Sequence, residues 1–180
     1  IICIRNMSLK LIPKEELPSA TIPVPFKEQG LPSIFKVIKE MEVLCEKHDG
    51  LGLAAAQVGI PWKLCILKQK NRWRYLINCE YSSLSDEKIS VYEGCLTIPN
   101  EIFLVPRLVA YRLTGLELII DKNELKLVEI LEDYQFSSSM SSQQILDHIV
   151  VLHEIDHQND ILIWNIGEPY DVTRMQARRN

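Results

Sequence analysis

Residues 150–160 read VVLHEIDHQND, with His153 and His157 four apart and Glu154 beside the first. On a helix this spacing puts both imidazoles on one face, a single turn apart. Two neutral imidazoles placed that way chelate one divalent ion, and the glutamate points toward the ion's open position. There it acts as a general base, because such ions lower the pKa of the water they hold to about 7. The opposing reading is a solvated helix end that carries two histidines by coincidence.

A catalytic site of this type takes three protein ligands and keeps one position open. Downstream, Asp160 and Ile163 stand where the longer metzincin pattern requires Gly and His. Glu168 follows His157 too closely to arrive on a separate helix. The search therefore turns upstream, to YEGCLTIP at residues 92–99. Cys95 follows Gly94, whose backbone freedom allows a tight bend that brings a thiolate to an ion. A free cysteine is also a common small buried hydrophobe, and Cys95 alone fits that role too. A third stretch is GLGLAAAQVGI, residues 50–60. Gly50 and Gly52 let a peptide come close enough for strand-like hydrogen bonds. The Gln57 amide can hold a carbonyl oxygen as it gains negative charge. Taken alone, the stretch fits a tight turn packed on the late helix better.

Periodicity indicates the elements that carry these residues. Ser33 is placed to cap a helix with apolar positions Ile34, Val37, Ile38, Met41, Leu44 and Cys45, ending before His48-Asp49-Gly50. Strand-like runs follow at 64–67, 74–77, 102–105, 116–120 and 125–130. A Ser-rich loop precedes a capping box, Ser141 to Gln144, which should launch a helix over about 142–158. Pro13, Pro18, Pro23 and Pro25 make residues 1–30 an extended arm. The pattern predicts one α+β domain over 1–180, its mainly antiparallel strands packed around a late helix that carries HEIDH.

In this order, GLGLAAAQVGI, EGCLTIP and HEIDH resemble the three motifs of peptide deformylases, and LVPR at 104–107 extends the likeness over about residues 30–165. That family removes the formyl group from the N-terminal formyl-methionine of new polypeptides. It uses one divalent transition metal ion, usually iron(II) in cells, with zinc, nickel or cobalt as substitutes. The resemblance implies metal ligands Cys95, His153 and His157, with Glu154 as general base and acid. It assigns oxyanion stabilisation to Gln57 and the Leu96 backbone N–H. Gly52, Leu53 and Gly94 fall at substrate-binding positions, and Leu146, Ile149 and Val150 form a wall of the methionine pocket. Glu93 and Arg107 form a supporting ion pair, with Asp156 a further candidate. The sequence departs from the family pattern at Leu152, Gln158, Asp160, Ile102 and Thr97. None of these is a ligand or the base, so peptide preference is more exposed to change than catalysis.

Composition narrows the setting. Hydrophobic content of 47%, charged content of 24% and a net charge of −4 are ordinary globular values. They speak against a DNA-binding surface, and no apolar run nears the roughly 18 residues of a membrane span. The five cysteines, Cys3, Cys45, Cys65, Cys79 and Cys95, are odd in number and widely spaced, so reduced thiols are expected. A cytoplasmic location follows, in a bacterium or a phage-infected host, with an organelle as the alternative. The start is a poor signal peptide, and Met7 is a candidate initiator, leaving the origin of residues 1–6 open. Expected partners are formyl-methionyl nascent peptides. The tail arginines Arg174, Arg178 and Arg179 are weighed as a ribosome contact against an ordinary solvated terminus. Two rival functions remain: a metallopeptidase that cuts internal bonds, and a non-catalytic peptide-binding protein.

Overall fold

The protein was analysed as a computed structural model that describes residues 8–69 and 72–171. Cys3, Met7 and the tail arginines lie outside the described residues. The helices are α1 (Phe26–Gln29), α2 (Leu31–Lys47), α3 (Ser142–Gln158) and α4 (Ile163–Ile166). The strands are β1 (Gly52–Ala54), β2 (Leu64–Gln69), β3 (Arg72–Ser83), β4 (Lys88–Cys95), β5 (Ile98–Leu108), β6 (Ala110–Asp121), β7 (Glu124–Gln135) and β8 (Glu168–Tyr170). They form one sheet in the order β1-β2-β3-β6-β7 and another in the order β4-β5-β8, with antiparallel pairing throughout both.

The run Leu64-Cys65-Ile66-Leu67 is continuously apolar because β2 is buried on both faces. Leu64 and Ile66 pack with Ile34, Ile38 and Met41 of α2. Cys65 and Leu67 pack with Val151, Leu152 and Ile155 of α3. The larger sheet therefore separates two apolar layers, and α3 lies against β1, β2 and β3. The α+β architecture with a late helix at its centre is as expected.

Several boundaries differ from the sequence reading. Helix α2 begins at Leu31 rather than after a Ser33 cap, since Pro32 fits the first turn, where its missing N–H costs nothing. At the other end Asp49, not Gly50, takes the left-handed conformation, with φ 53°. Gly50 is small for a different reason: a Cβ there would sit 2.8 Å from the Cys45 sulfur and 2.9 Å from Leu96. Strands β1, β4 and β8 were not foreseen. The others run longer than their apolar cores and continue through polar, charged and buried residues alike, such as Cys79 on β3 and Tyr111 and Leu113 on β6. The capping box holds, with Ser141 N donating to Gln144 Oε1 at 2.9 Å and Gln144 N to Ser141 Oγ at 3.3 Å. Of the arm, residues 8–30 include a turn at Lys14–Glu16 and helix α1. It docks through an Ile22–Trp62 bridge and through Ile12 N, which donates to Gln57 O at 3.0 Å.

Buried Arg74 ties three strands together. It donates to Glu117 at 2.6 Å, to Glu132 at 2.8 Å and to the Tyr134 hydroxyl at 3.0 Å. Burial alone raises the Glu132 carboxyl, but hydrogen bonds from Arg74 and Tyr134 outweigh it and hold the group below its usual 4.5. A depressed carboxyl contributes stability that is complete above the unfolded pKa and lost as pH falls through the folded one. The wild type's melting temperature should exceed that of Glu132→Gln at pH 7, and the gap should close as pH drops below 4.5. Thermal melts of both proteins from pH 7 to 3 measure this.

Candidate metal centre

Strand alternation aims the upstream ligand. On β4, Glu93 and Cys95 point inward and are buried, while Gly94 between them is exposed. A register shift between Glu93 and Cys95 bends the strand there and sets Cys95 opposite Ile98 of β5. From the other side, α3 brings His153 and His157 inward, one turn apart. Ligand atoms of Cys95, His153 and His157 all lie within 4.8 Å of one another, and all three residues are buried. The Cys95 sulfur is 3.4 Å from His157 Nε2.

Partners behind the ligands set their orientation. His153 Nδ1 lies 2.9 Å from Glu93 Oε2, which leaves Nε2 for the centre. Glu93 accepts from Arg107 Nη2 at 2.7 Å, and Arg107 also pairs with Asp156. Tyr81 donates to the second oxygen of Asp156 at 2.7 Å. The expected Glu93–Arg107 pair is thus present, and Asp156 and Tyr81 extend it. Tyr81 was missed because no local spacing links it to the motif.

The buried groups of the centre shift one another's protonation. Burial favours the neutral Cys95 thiol, but the imidazoles of His153 and His157 outweigh it and hold its pKa well below the ordinary value. Burial likewise works against a charged His153, yet contacts with Cys95 and Glu93 raise it well above 6.5. Burial pushes Glu154 up to about 7, and the positive character of the two imidazoles limits the rise. Glu154 Oε2 and His157 Nδ1 are buried without a hydrogen-bond partner. One sulfur and two imidazole nitrogens converging in a buried pocket suit a divalent transition metal far better than magnesium or calcium.

Glu154 lies against Gly52: a Cβ on that glycine would fall 2.5 Å from Oε1 and 2.6 Å from Cγ. Gly52, the first residue of β1, therefore makes room for the Glu154 side chain. Gln57 Nε2 donates to the Cys95 sulfur at 3.3 Å and to Thr97 Oγ1 at 3.1 Å, while its Oε1 accepts from Ala54 N at 2.8 Å. A cavity of about 390 Å³ opens over the centre, bounded by Gly52, Gly94 and Leu96, with Leu146, Ile149 and Val150 as an apolar wall. Leu53 departs from its expected place. Its side chain is fully buried in the α2-side core, so only its backbone is available to a substrate. Glu168 is an exposed β8 residue outside the convergent set.

The other departures have local explanations. Gln158 is fully buried and satisfied: it accepts from Cys79 N at 2.9 Å and donates to Leu76 O at 3.1 Å. Asp160 has φ 60°, a region Asp tolerates better than most residues, and its carboxylate accepts from Thr21 N at 2.9 Å. Leu152 is packed in the α3-side core. Thr97 keeps a hydroxyl for Gln57. Ile102 lines the cavity, as do Asn100 and Glu101, which sequence reasoning did not single out.

Comparison with known proteins covers most of the chain. The family described as polypeptide deformylase matches residues 8–169. A peptide deformylase of Desulfosudis oleivorans is 32% identical over 133 residues, covering 71% of this chain and 68% of that protein. A crystal structure of a peptide deformylase from Legionella pneumophila superposes with a TM-score of 0.65 at 27% identity, covering 95% of this chain and 90% of the other. The Thermotoga maritima peptide deformylase shares the fold, with a TM-score of 0.67 at 23% identity over 89% of this chain and 98% of the other.

Cys95→Ala should abolish stoichiometric metal binding. Glu93→Gln should weaken it by about 10- to 100-fold, the usual effect of losing a ligand's orienting partner. Competition with a chromogenic chelator, alongside circular dichroism to confirm folding, reads both.

Proposed function

This chain belongs to the peptide deformylase family, and from that premise we propose how its own residues carry the reaction. It is a hydrolase that removes the formyl group from the N-terminal formyl-methionine of newly made polypeptides. The observation that carries the residue assignment is the buried convergence of Cys95, His153 and His157, with Glu154 at the floor of an apolar-walled cavity.

The methionine side chain rests on Leu146, Ile149 and Val150, an apolar surface suited to a thioether. The peptide backbone pairs with the strands at Gly52, which is buried, and Gly94, which is exposed, and neither presents a side chain in its way. Cys95, His153 and His157 would hold one divalent transition metal, iron(II) in the cell with zinc, nickel or cobalt as substitutes, which would supply Lewis acidity and lower the pKa of water. Glu154 accepts a proton from the attacking water and delivers it to the amine nitrogen as the C–N bond breaks, releasing formate. Its raised pKa suits both duties near neutral pH. As the formyl oxygen gains charge, the Leu96 N–H and one Gln57 amide N–H turned from Thr97 or Cys95 donate to it.

The setting we propose is the cytoplasm of a bacterium or a phage-infected cell, with an organelle as the alternative, supported by the bacterial relatives and by four buried free thiols. Among the described residues no helix is long and apolar enough to cross a membrane. The tail arginines, the candidate ribosome contact, lie outside the described residues.

The protein loaded with iron or nickel should turn over formyl-Met-Ala-Ser, and Glu154→Ala should lose that turnover while retaining its metal. Metal retention without turnover in the wild type would sink the deformylase assignment. Gly52→Ala should lower kcat by about 100-fold by displacing the Glu154 carboxylate, a misplacement of roughly 1 Å.

A further inference from the structure

The mouth of the cavity carries charge of one sign. Along the β4–β5 side its wall runs from Gly94 to Ile102, whose Cδ1 lies 3.5 Å from where a Gly94 Cβ would sit. Ile102 pairs across the strands with Tyr170, and the Tyr170 ring packs 4.6 Å from that of Tyr92. Together these residues make an apolar shelf beside the glycine. At its edge stands Glu101, exposed and part of the cavity lining. Glu93 and Glu154, the other acidic lining residues, are buried in the centre. None of the described lining residues is a lysine or arginine. Beyond the lining, the nearest chain neighbours add negative charge: Asp49 precedes Gly50, and Glu168 faces Leu104 across the strands, both exposed.

We propose that this rim selects formyl-methionyl peptides by charge, favouring basic or neutral residues directly after the methionine and disfavouring acidic ones, with Glu101 as the specificity-determining residue. The inference rests on the deformylase reading above. A peptide paired with Gly94 lays its next residues over Ile102 and beside Glu101. A carboxylate there meets a negative potential over an apolar wall that focuses it, and the described lining offers no lysine or arginine to compensate. An ammonium group meets its complement.

The test compares kcat/KM for formyl-Met-Lys-Lys-amide, formyl-Met-Gln-Gln-amide and formyl-Met-Glu-Glu-amide on the metal-loaded full chain. Exposed charge pairs are individually weak, so the expected lysine-over-glutamate preference is about three- to tenfold at low ionic strength, fading in high salt. Glu101→Gln should flatten the series and Glu101→Lys should reverse it, each variant being judged by its own ratios. Equal rates for the three peptides, or an order unchanged in Glu101→Lys, overturns the proposal. Dissociation constants of the same peptides, measured by calorimetry on the Glu154→Ala protein, give the charge order without turnover. Failure of the reaction and failure of the rim are thereby told apart.

Discussion

One buried cation holds the centre in register. Arg107 is 2% exposed and sits between Glu93 and Asp156. Glu93 belongs to the strand that delivers Cys95, and Asp156 to the helix that delivers both histidines. The guanidinium therefore clamps the small sheet to α3 at the place where the three ligands must meet. Leaving one partner of such a group unpaired in the interior costs about 3–5 kcal/mol, which makes the arrangement nearly all-or-none. Its bidentate fork also fixes the Glu93 plane, and through it the ring of His153.

The rest of the fold serves that clamp. Strand β2 spends alternate residues on α2 and α3, so the base-bearing helix is pinned along its length to a sheet that α2 backs from behind. The loop between α2 and β2 then has no freedom to stand away from the centre. Gly50 and Gly52 are pressed against Cys45 and Glu154 at distances that exclude a methyl group. Close approach on one side and the exposed edge of Gly94 on the other leave a cleft with backbone on both walls. Such a cleft suits an extended peptide.

Departures from the family pattern show how a site survives change around it. Gln158 places a polar amide in the interior, and the surrounding strands supply a backbone N–H, a carbonyl and the Cys65 sulfur. Buried polar groups are tolerated when each is paired. Asp160 accepts a left-handed backbone and uses its side chain to fasten the arm through Thr21. Both changes are absorbed outside the ligand set. Ile102 differs in kind, because it lines the cavity.

The convergence of the two histidines was legible in the sequence because His153, Glu154 and His157 share one helical turn, where spacing alone dictates geometry. The same holds for the capping box at Ser141 and for the apolar run at 64–67. Cys95 and Gln57 could be suspected one by one, and their order along the chain gave them meaning. By contrast, Tyr81, Asp156 and Arg107 come together from positions 49 and 75 residues apart in the chain. The Arg107–Asp156 pair was foreseen only through the family resemblance, and Tyr81 not at all. Leu53 was expected at the substrate and belongs to the core, since which face a short strand turns inward depends on the sheet it joins. Strand order, the bend at Gly94 and the charge of the rim were likewise decided only in the tertiary structure. The sequence by itself determined which donor atoms and which base the chain carries. Their orientation came from cross-strand register and from burial of Arg107, interactions whose energy exists only once distant segments are packed.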